Sequence, residues 1–198
     1  MERTGRPRNP KIGDAVLDAT IDVLSEVGYA RLTIEAVARR AKTTKPSLYR
    51  RWPSRQHLVL DALAKRFESD GPAPDTGCVV CDLTGCVTLL TTRCQCMPPD
   101  VLASLLADCA EQPDLREKIV TKLVEPPRRA VNEALVRAQT RGELRADLDR
   151  ALAVDLLGAL VHYRALFHHA PDPEAAVTTL LRGMAENYKG HPHTGMTN

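Results

Sequence analysis

Apolar residues recur at helical spacing from the start of the chain. Ile12, Val16, Ala19, Val23 and Val27 follow one another at intervals of three or four, with Leu17, Thr20 and Leu24 beside them. That is the inner stripe of an amphipathic helix. Asn9 and Pro10 suit its start, as cap and as a first residue that needs no N–H partner, and Gly28 supplies its stop. Thr33 caps a second helix, "TIEAVARRA", with Ile34, Val37, Ala38 and Ala41 turned inward. A few residues on, "KPSLYRR" begins another, with Pro46 in its first turn and Pro53 as its stop. Ser54 can cap a fourth helix, "RQHLVLDALAKRF". Two short helices joined by a tight turn, after a longer supporting helix, predict a helix-turn-helix.

Everything after the Pro-, Gly- and Asp-rich stretch "SDGPAPDTG" (69–77) is also helical in pattern. That stretch itself reads as a linker. Thr76 is placed to cap a helix through about Thr92. "MPPD" then leads into "VLASLLADCAE". The long pattern "QPDLREKIVTKLVEPPRRAVNEALVRAQTRG" contains Pro126-Pro127, which remove two N–H donors and predict a kink or break; Gly142 ends it. Two strongly apolar helices follow, at about 150–168 and 173–188. The pattern is all-α and two-domain: 1–68 with a basic N-terminal arm, a linker at 69–77, a helical domain at 78–190, and a disordered tail at 191–198. The last two long helices are too apolar for one small domain to cover; either they bury each other within one subunit, or the exposed surface marks an interface between subunits.

Composition narrows this further. The chain has 198 residues, 43% apolar but only 4% aromatic, and its Ala and Leu content favours helix. No apolar run approaches the ~20 residues of a membrane span. The basic "MERTGRPRNPK" start has no apolar stretch behind it, so no secretory signal is expected, and the chain reads as soluble and cytoplasmic. Charge is divided unevenly. Residues 1–66 hold 14 Lys/Arg and 7 Asp/Glu, a net +7, and residues 67–198 hold 13 and 18, a net −5. A basic front on an acidic body suits a polyanion partner, although a solvated basic surface has the same composition.

The third helix favours the partner. Leu48 and Trp52 lie four apart and share a face that can pin it to its neighbours. Lys45, Ser47, Tyr49, Arg50 and Arg51 are left pointing out. A helix of this width fits the major groove of B-DNA, where Lys and Arg reach phosphates or guanine edges. The Tyr hydroxyl suits a phosphate oxygen, and Pro46 and the methyls of Thr43 and Thr44 suit thymine methyls. Here "LTIEAVARRAKTTKPSLYRRWPSRQHLVLDAL" (32–63) resembles the DNA-binding signature of the TetR family of transcriptional regulators. Leu48, Tyr49, Arg50, Arg51, Trp52, Pro53, Ser54 and Arg55 match its order. Lys42 departs from it, because many members carry Gly at this turn and Lys enters a left-handed conformation only at some cost.

The resemblance implies double-stranded DNA as partner. Lys45, Pro46, Ser47 and Arg50 would face bases or the groove wall. Tyr49, Arg51 and Arg55 would hold phosphates, and Thr33 and Thr44 would meet the backbone at helix N-termini. The arm "RTGRPR", with Arg6 and Arg8, either enters the minor groove or is a solubilising tail. The resemblance also implies a homodimer whose last two helices pair as a four-helix bundle, a near-palindromic operator, and repression relieved by a small-molecule effector in a cavity of the second domain. His162, Tyr163, Arg128 and Cys109 are the candidate cavity residues.

Six cysteines crowd into residues 78–109, beginning with Cys78-x-x-Cys81. They can be small core residues, a redox sensor or a metal sensor. No second Cys or His pair follows at zinc-finger spacing, so no cofactor is expected. The chain also lacks a Gly-rich phosphate loop, a nucleophile elbow and a His/carboxylate constellation, so an enzyme is not expected. A thiol- or metal-handling protein without DNA binding is the rival from another class.

Overall fold

The computed structural model describes residues 10–68, 73–95, 100–169 and 172–182, and these are helices and connections without a strand. The expected arm residues Arg6 and Arg8, the tail and Cys96 lie outside the described residues. Four helices make the front: α1 (Pro10–Arg31), α2 (Ile34–Arg40), α3 (Lys45–Tyr49) and α4 (Arg55–Glu68). The helix of residues 10–31 is broken at Gly28, whose φ of 73° and ψ of 169° only glycine adopts readily, and Tyr29 is thereby turned into the core. Thr33 caps α2 as expected, its Oγ1 accepting the Ala36 N–H at 3.1 Å.

The turn after α2 closes as a left-handed helix stop. Lys42 has φ 51°, and the Thr43 N–H reaches the Ala38 carbonyl at 2.9 Å. The same closure after α8 (Glu125–Thr140) uses Gly142, at φ 75°. Lysine there carries a strain of ~1–2 kcal/mol, and glycine would lose ~0.5–1 kcal/mol through its freer unfolded chain. Lys42→Gly is therefore expected to raise stability by up to about 1 kcal/mol in urea unfolding. A loss would mean that the lysine side chain itself supports the turn.

The back comprises α5 (Val79–Gln95), α6 (Asp100–Asp108), α7 (Pro113–Ile119), a π-helical turn (Val120–Val124), α8, α9 (Arg150–Leu166) and α10 (Pro173–Arg182). The α5 helix starts later than expected, with Thr76 outside it and bonded to Asp82 instead. The expected break at Pro126-Pro127 takes the form of the π turn. The prolines sit in the first turn of α8, and the widened turn lies just upstream, among the carbonyls they cannot pair.

Two apolar cores result, and they do not divide where the linker does. The first joins α1–α4 to Val101, Leu105, Cys109, Leu115, Ile119 and Leu123. The second joins α5, α8, α9 and α10 through Leu83, Val87, Leu135, Val154, Leu157 and Val177 among others. Helices α6 and α7 and the π turn thus belong to the back half by sequence but to the front half by packing. They pack directly against the four front helices.

Candidate nucleic-acid interface

The recognition surface follows from which side of α3 is buried. Leu48 is 1% exposed and Trp52 7%, while Tyr49 is 52% exposed. Lys45, Pro46, Arg50 and Arg51 are exposed as well, with Ser47 half-buried. Thr44 stands exposed at the N-cap of α3 without a side-chain capping bond, with the half-buried Thr43 beside it. Trp52 is anchored by more than packing: its indole N–H donates to Asp61 Oδ2 at 2.9 Å. Asp61 lies on α4, and its other oxygen receives Lys122 Nζ, from the π turn, at 2.7 Å.

The outward cations are held rather than loose. Lys45 Nζ sits 2.7 Å from the Glu35 carboxylate of α2, and that bond holds the Glu35 carboxyl below its usual range. The pair is solvent-exposed and worth little, so a phosphate or base can take the lysine over. Arg50 Nη2 donates to Ser47 Oγ at 3.0 Å. A methyl group on Gly13 would fall 2.7 Å from Arg51 Nη1, so Arg51 lies against the start of α1.

Arg55, expected to hold a phosphate, is engaged within the protein. Its guanidinium turns toward the back half and donates to Asp108 Oδ2 at 2.7 Å, lying over the Tyr29 ring at 4.6 Å. The Tyr29 hydroxyl donates to the same oxygen at 2.8 Å, and Gln56 Nε2 reaches it at 3.3 Å. These bonds, Tyr29 first and then Arg55, hold the Asp108 carboxyl below its usual range. Burial, and then the bond to Asp108, push the Tyr29 phenol well up. One carboxylate oxygen at the end of α6 thus gathers the broken end of α1 and the first turn of α4. Asp108, Tyr29, Gln56, Asp61 and Lys122 were not singled out from the sequence, because their partners lie far away along the chain.

A cavity of about 340 Å³ opens between the two cores. Phe67, Leu102 and Leu123 from the first core and Leu90, Val131 and Val154 from the second line it. Its polar edge is Arg93, His162 and the Arg128–Asp155 ion pair. His162 Nδ1 and the Gly158 carbonyl share a hydrogen bond at 2.8 Å. Two candidates of the cavity are corrected. Tyr163 faces away, 55% exposed and packed on Phe167 at 4.8 Å. Cys109 is sealed in the first core, and the cysteine in the cavity wall is Cys94.

Leu152, Leu156, Tyr163 and Leu166 on α9, and Phe167 at its C-cap, are each about half exposed. They recur at steps that keep one helix face, so α9 carries an uncovered apolar stripe. Among the described residues no three metal-ligating side chains are grouped to hold an ion, and no helix is long and apolar enough to cross a membrane.

Comparison with known proteins finds relatives of both halves of the chain. Residues 16–62 match the family described as bacterial regulatory proteins, tetR family, and residues 73–184 match the tetracyclin repressor-like C-terminal domain. The HTH-type transcriptional regulator AqdR of Rhodococcus erythropolis is 34% identical over 185 residues, 89% of this chain and 86% of that protein. The DNA-binding transcriptional repressor TetR of Mycobacteroides abscessus is 31% identical over 153 residues, 76% of this chain and 80% of that protein. The crystal structure of the TetR family transcription regulator SCO0332 superposes with a TM-score of 0.69 at 31% identity, covering 87% of this chain and 95% of that one.

Proposed function

Because this chain belongs to the TetR family of transcriptional regulators, we propose that it is a cytoplasmic homodimeric repressor that leaves a near-palindromic operator when a small molecule enters its central cavity. The observation that carries the DNA part is the split of α3, with Leu48 and Trp52 buried and Lys45, Tyr49, Arg50 and Arg51 outward. The α9 stripe supports the dimer, since a second copy is the surface that would bury Leu152, Leu156 and Phe167 together. A two-fold dimer carries two copies of α3, and reading successive major grooves requires them ~34–36 Å apart.

The cavity supports the effector. Its volume is within the ~300–1,000 Å³ of small-molecule sites, and its wall suits a compact apolar molecule with one polar end. Its position supports the mechanism. Leu123 and Val124 of the π turn line it, and the neighbouring Lys122 grips Asp61, which holds Trp52 at the end of the recognition segment. A ligand that spreads the two cores favours a conformer with the copies of α3 wrongly spaced. A coupling of ~1–3 kcal/mol changes operator affinity by about 5- to 150-fold.

The test is fluorescence anisotropy on an operator selected from random duplex DNA. Lys45→Ala should relax the preference at one or two base-pair positions, costing ~1–3 kcal/mol against the wild-type site. Tyr49→Phe should weaken all sequences alike. Selection that recovers no preferred sequence would overturn the regulator reading. An unchanged base preference in Lys45→Ala would remove that residue from the reading set.

A further inference from the structure

The described cysteines divide into two kinds. Cys86 and Cys109 are buried and Cys94 is largely so; burial pushes all three thiols up, Cys86 to about 11. They are apolar packing residues. Cys78 and Cys81 stand apart at the first turn of α5, half-buried and exposed respectively. Neither lines the cavity nor belongs to the α9 stripe or the α3 surface.

Their geometry is that of a reactive pair. Cys78 occupies the N-cap of a 17-residue helix, its carbonyl accepting the Asp82 N–H at 2.9 Å. Cys81 follows three residues on, in the first turn of the same helix, and hydrogen bonding from its N–H and its thiol favours the Cys78 thiolate. The Cys81 N–H, followed by its thiol, holds the Cys78 thiol below its usual range. Giving that hydrogen bond raises the Cys81 thiol. A helix N-terminus favours a thiolate at this place. One sulfur is thus prepared as the nucleophile, and the other keeps its proton within reach of it. Residues three apart on a helical turn have Cα atoms about 5 Å apart, inside the ~4.4–6.8 Å span of a disulfide.

A merely structural purpose explains the pair poorly. Oxygen side chains are the effective N-caps, and a capping box completes itself with Glu or Gln three residues on, where this chain has Cys81. The turn is secured by other groups in any case: Glu143 Oε2 accepts the Val79 N–H at 2.7 Å, and Asp82 Oδ1 accepts both Thr76 donors.

We propose that Cys78 and Cys81 form a redox-active dithiol that exchanges with low-molecular-weight disulfides such as oxidised glutathione. In the first step the Cys78 thiolate attacks one sulfur of the oxidant, forming a mixed disulfide and expelling one thiolate. Cys81 then loses its proton and attacks the Cys78 sulfur, closing the intramolecular disulfide and releasing the second thiol. Overall, the two protein thiols are oxidised by two electrons, and the small disulfide is reduced to two thiols. Because the helix N-terminus and the Cys81 N–H stabilise the reduced form, the bond is readily reduced.

The experiment uses the full-length protein, reduced and then treated with oxidised glutathione under native conditions, with alkylation and peptide mass mapping. Wild type should lose two hydrogens at the 78–81 peptide, retain no glutathione, and return to the dithiol with reductant. Cys81→Ser should stop at a glutathione adduct on position 78. Cys78→Ser, which keeps a good cap and should match wild type in circular dichroism, should slow oxidation at least about tenfold. Equal rates in wild type and Cys78→Ser would overturn the assignment. So would a native protein that leaves both thiols reduced while the denatured chain oxidises, or oxidation found instead at Cys86, Cys94 or Cys109.

Discussion

Asp82→Ala is expected to destabilise the protein by about 3 kcal/mol, the lower part of the range for breaking a buried charged pair. Asp82 is fully buried on α5. Its Oδ1 accepts the Thr76 N–H at 2.6 Å and the Thr76 hydroxyl at 2.8 Å, and Arg141 Nη2 lies 3.6 Å from Oδ2. Truncation would leave the two part-buried Thr76 donors without this acceptor and two arginines, Arg137 and Arg141, without their shared anion. In a chain of this length that is a fall of about 6–12 °C in the melting midpoint. Asp82→Asn keeps the shape and one acceptor oxygen but loses the charge, and should cost roughly half as much. The acidity works in the same direction. Burial pushes the Asp82 carboxyl up, but the Thr76 bonds and then Arg137 and Arg141 outweigh it and hold the carboxyl below its usual range. A depressed folded-state pKa contributes stability that is fully present above the ordinary value of ~3.9 and is lost as pH falls through the folded value. Urea midpoints of wild type and Asp82→Asn should therefore differ at neutral pH and converge below about pH 4. Parallel curves at all pH values would mean that the charge contributes nothing.

How much of this was legible in the sequence depended on how local each interaction is. Thr33, Ser54, Pro46 and Gly142 announced helix ends because capping is decided within a turn. Leu48 and Trp52 announced the buried side of α3 because four-residue spacing needs no knowledge of the rest of the fold. Thr76 was misassigned within the same logic: Thr76 and Cys78 are both near the start of α5, and only the buried Asp82 decides which does what. The contacts that join the two halves were not legible. Tyr29 and Asp108 are 79 residues apart, and Arg55 and Asp108 are 53. No periodicity relates them, so Arg55 read as one more surface cation. The cavity failed for a related reason. Cys94 and Cys109 are both cysteines of apolar segments, and only the packing of the α6 region on the front core puts the first in the cavity wall and the second in a sealed core.

Arg55 and Asp108 carry the prediction that separates the two roles open to that arginine. As a phosphate contact, Arg55→Ala would weaken every DNA sequence and flatten the salt dependence, because one fewer counterion is released. Asp108→Ala would then leave binding unchanged or tighten it, since it removes a negative charge from a protein that approaches a polyanion. As an interdomain staple, the pair acts as a unit. Both single variants should weaken operator binding by roughly 3- to 30-fold, the double variant should be no worse than either, and the salt slope should stay that of wild type. The geometry favours the staple. Asp108 Oδ2 accepts from Tyr29, Arg55 and Gln56 together, and the arginine lies over a tyrosine that the break at Gly28 turned inward. The residue pulled by this cluster is the first of α4, the helix that also carries Asp61 and therefore the Trp52 anchor of the recognition segment. Loosening it frees α4 to move relative to α6 without touching any DNA-facing side chain. A repressor that loses affinity through Asp108, whose own charge opposes DNA, is binding through the orientation of its two halves, and the sign of the Asp108→Ala effect alone decides between the roles.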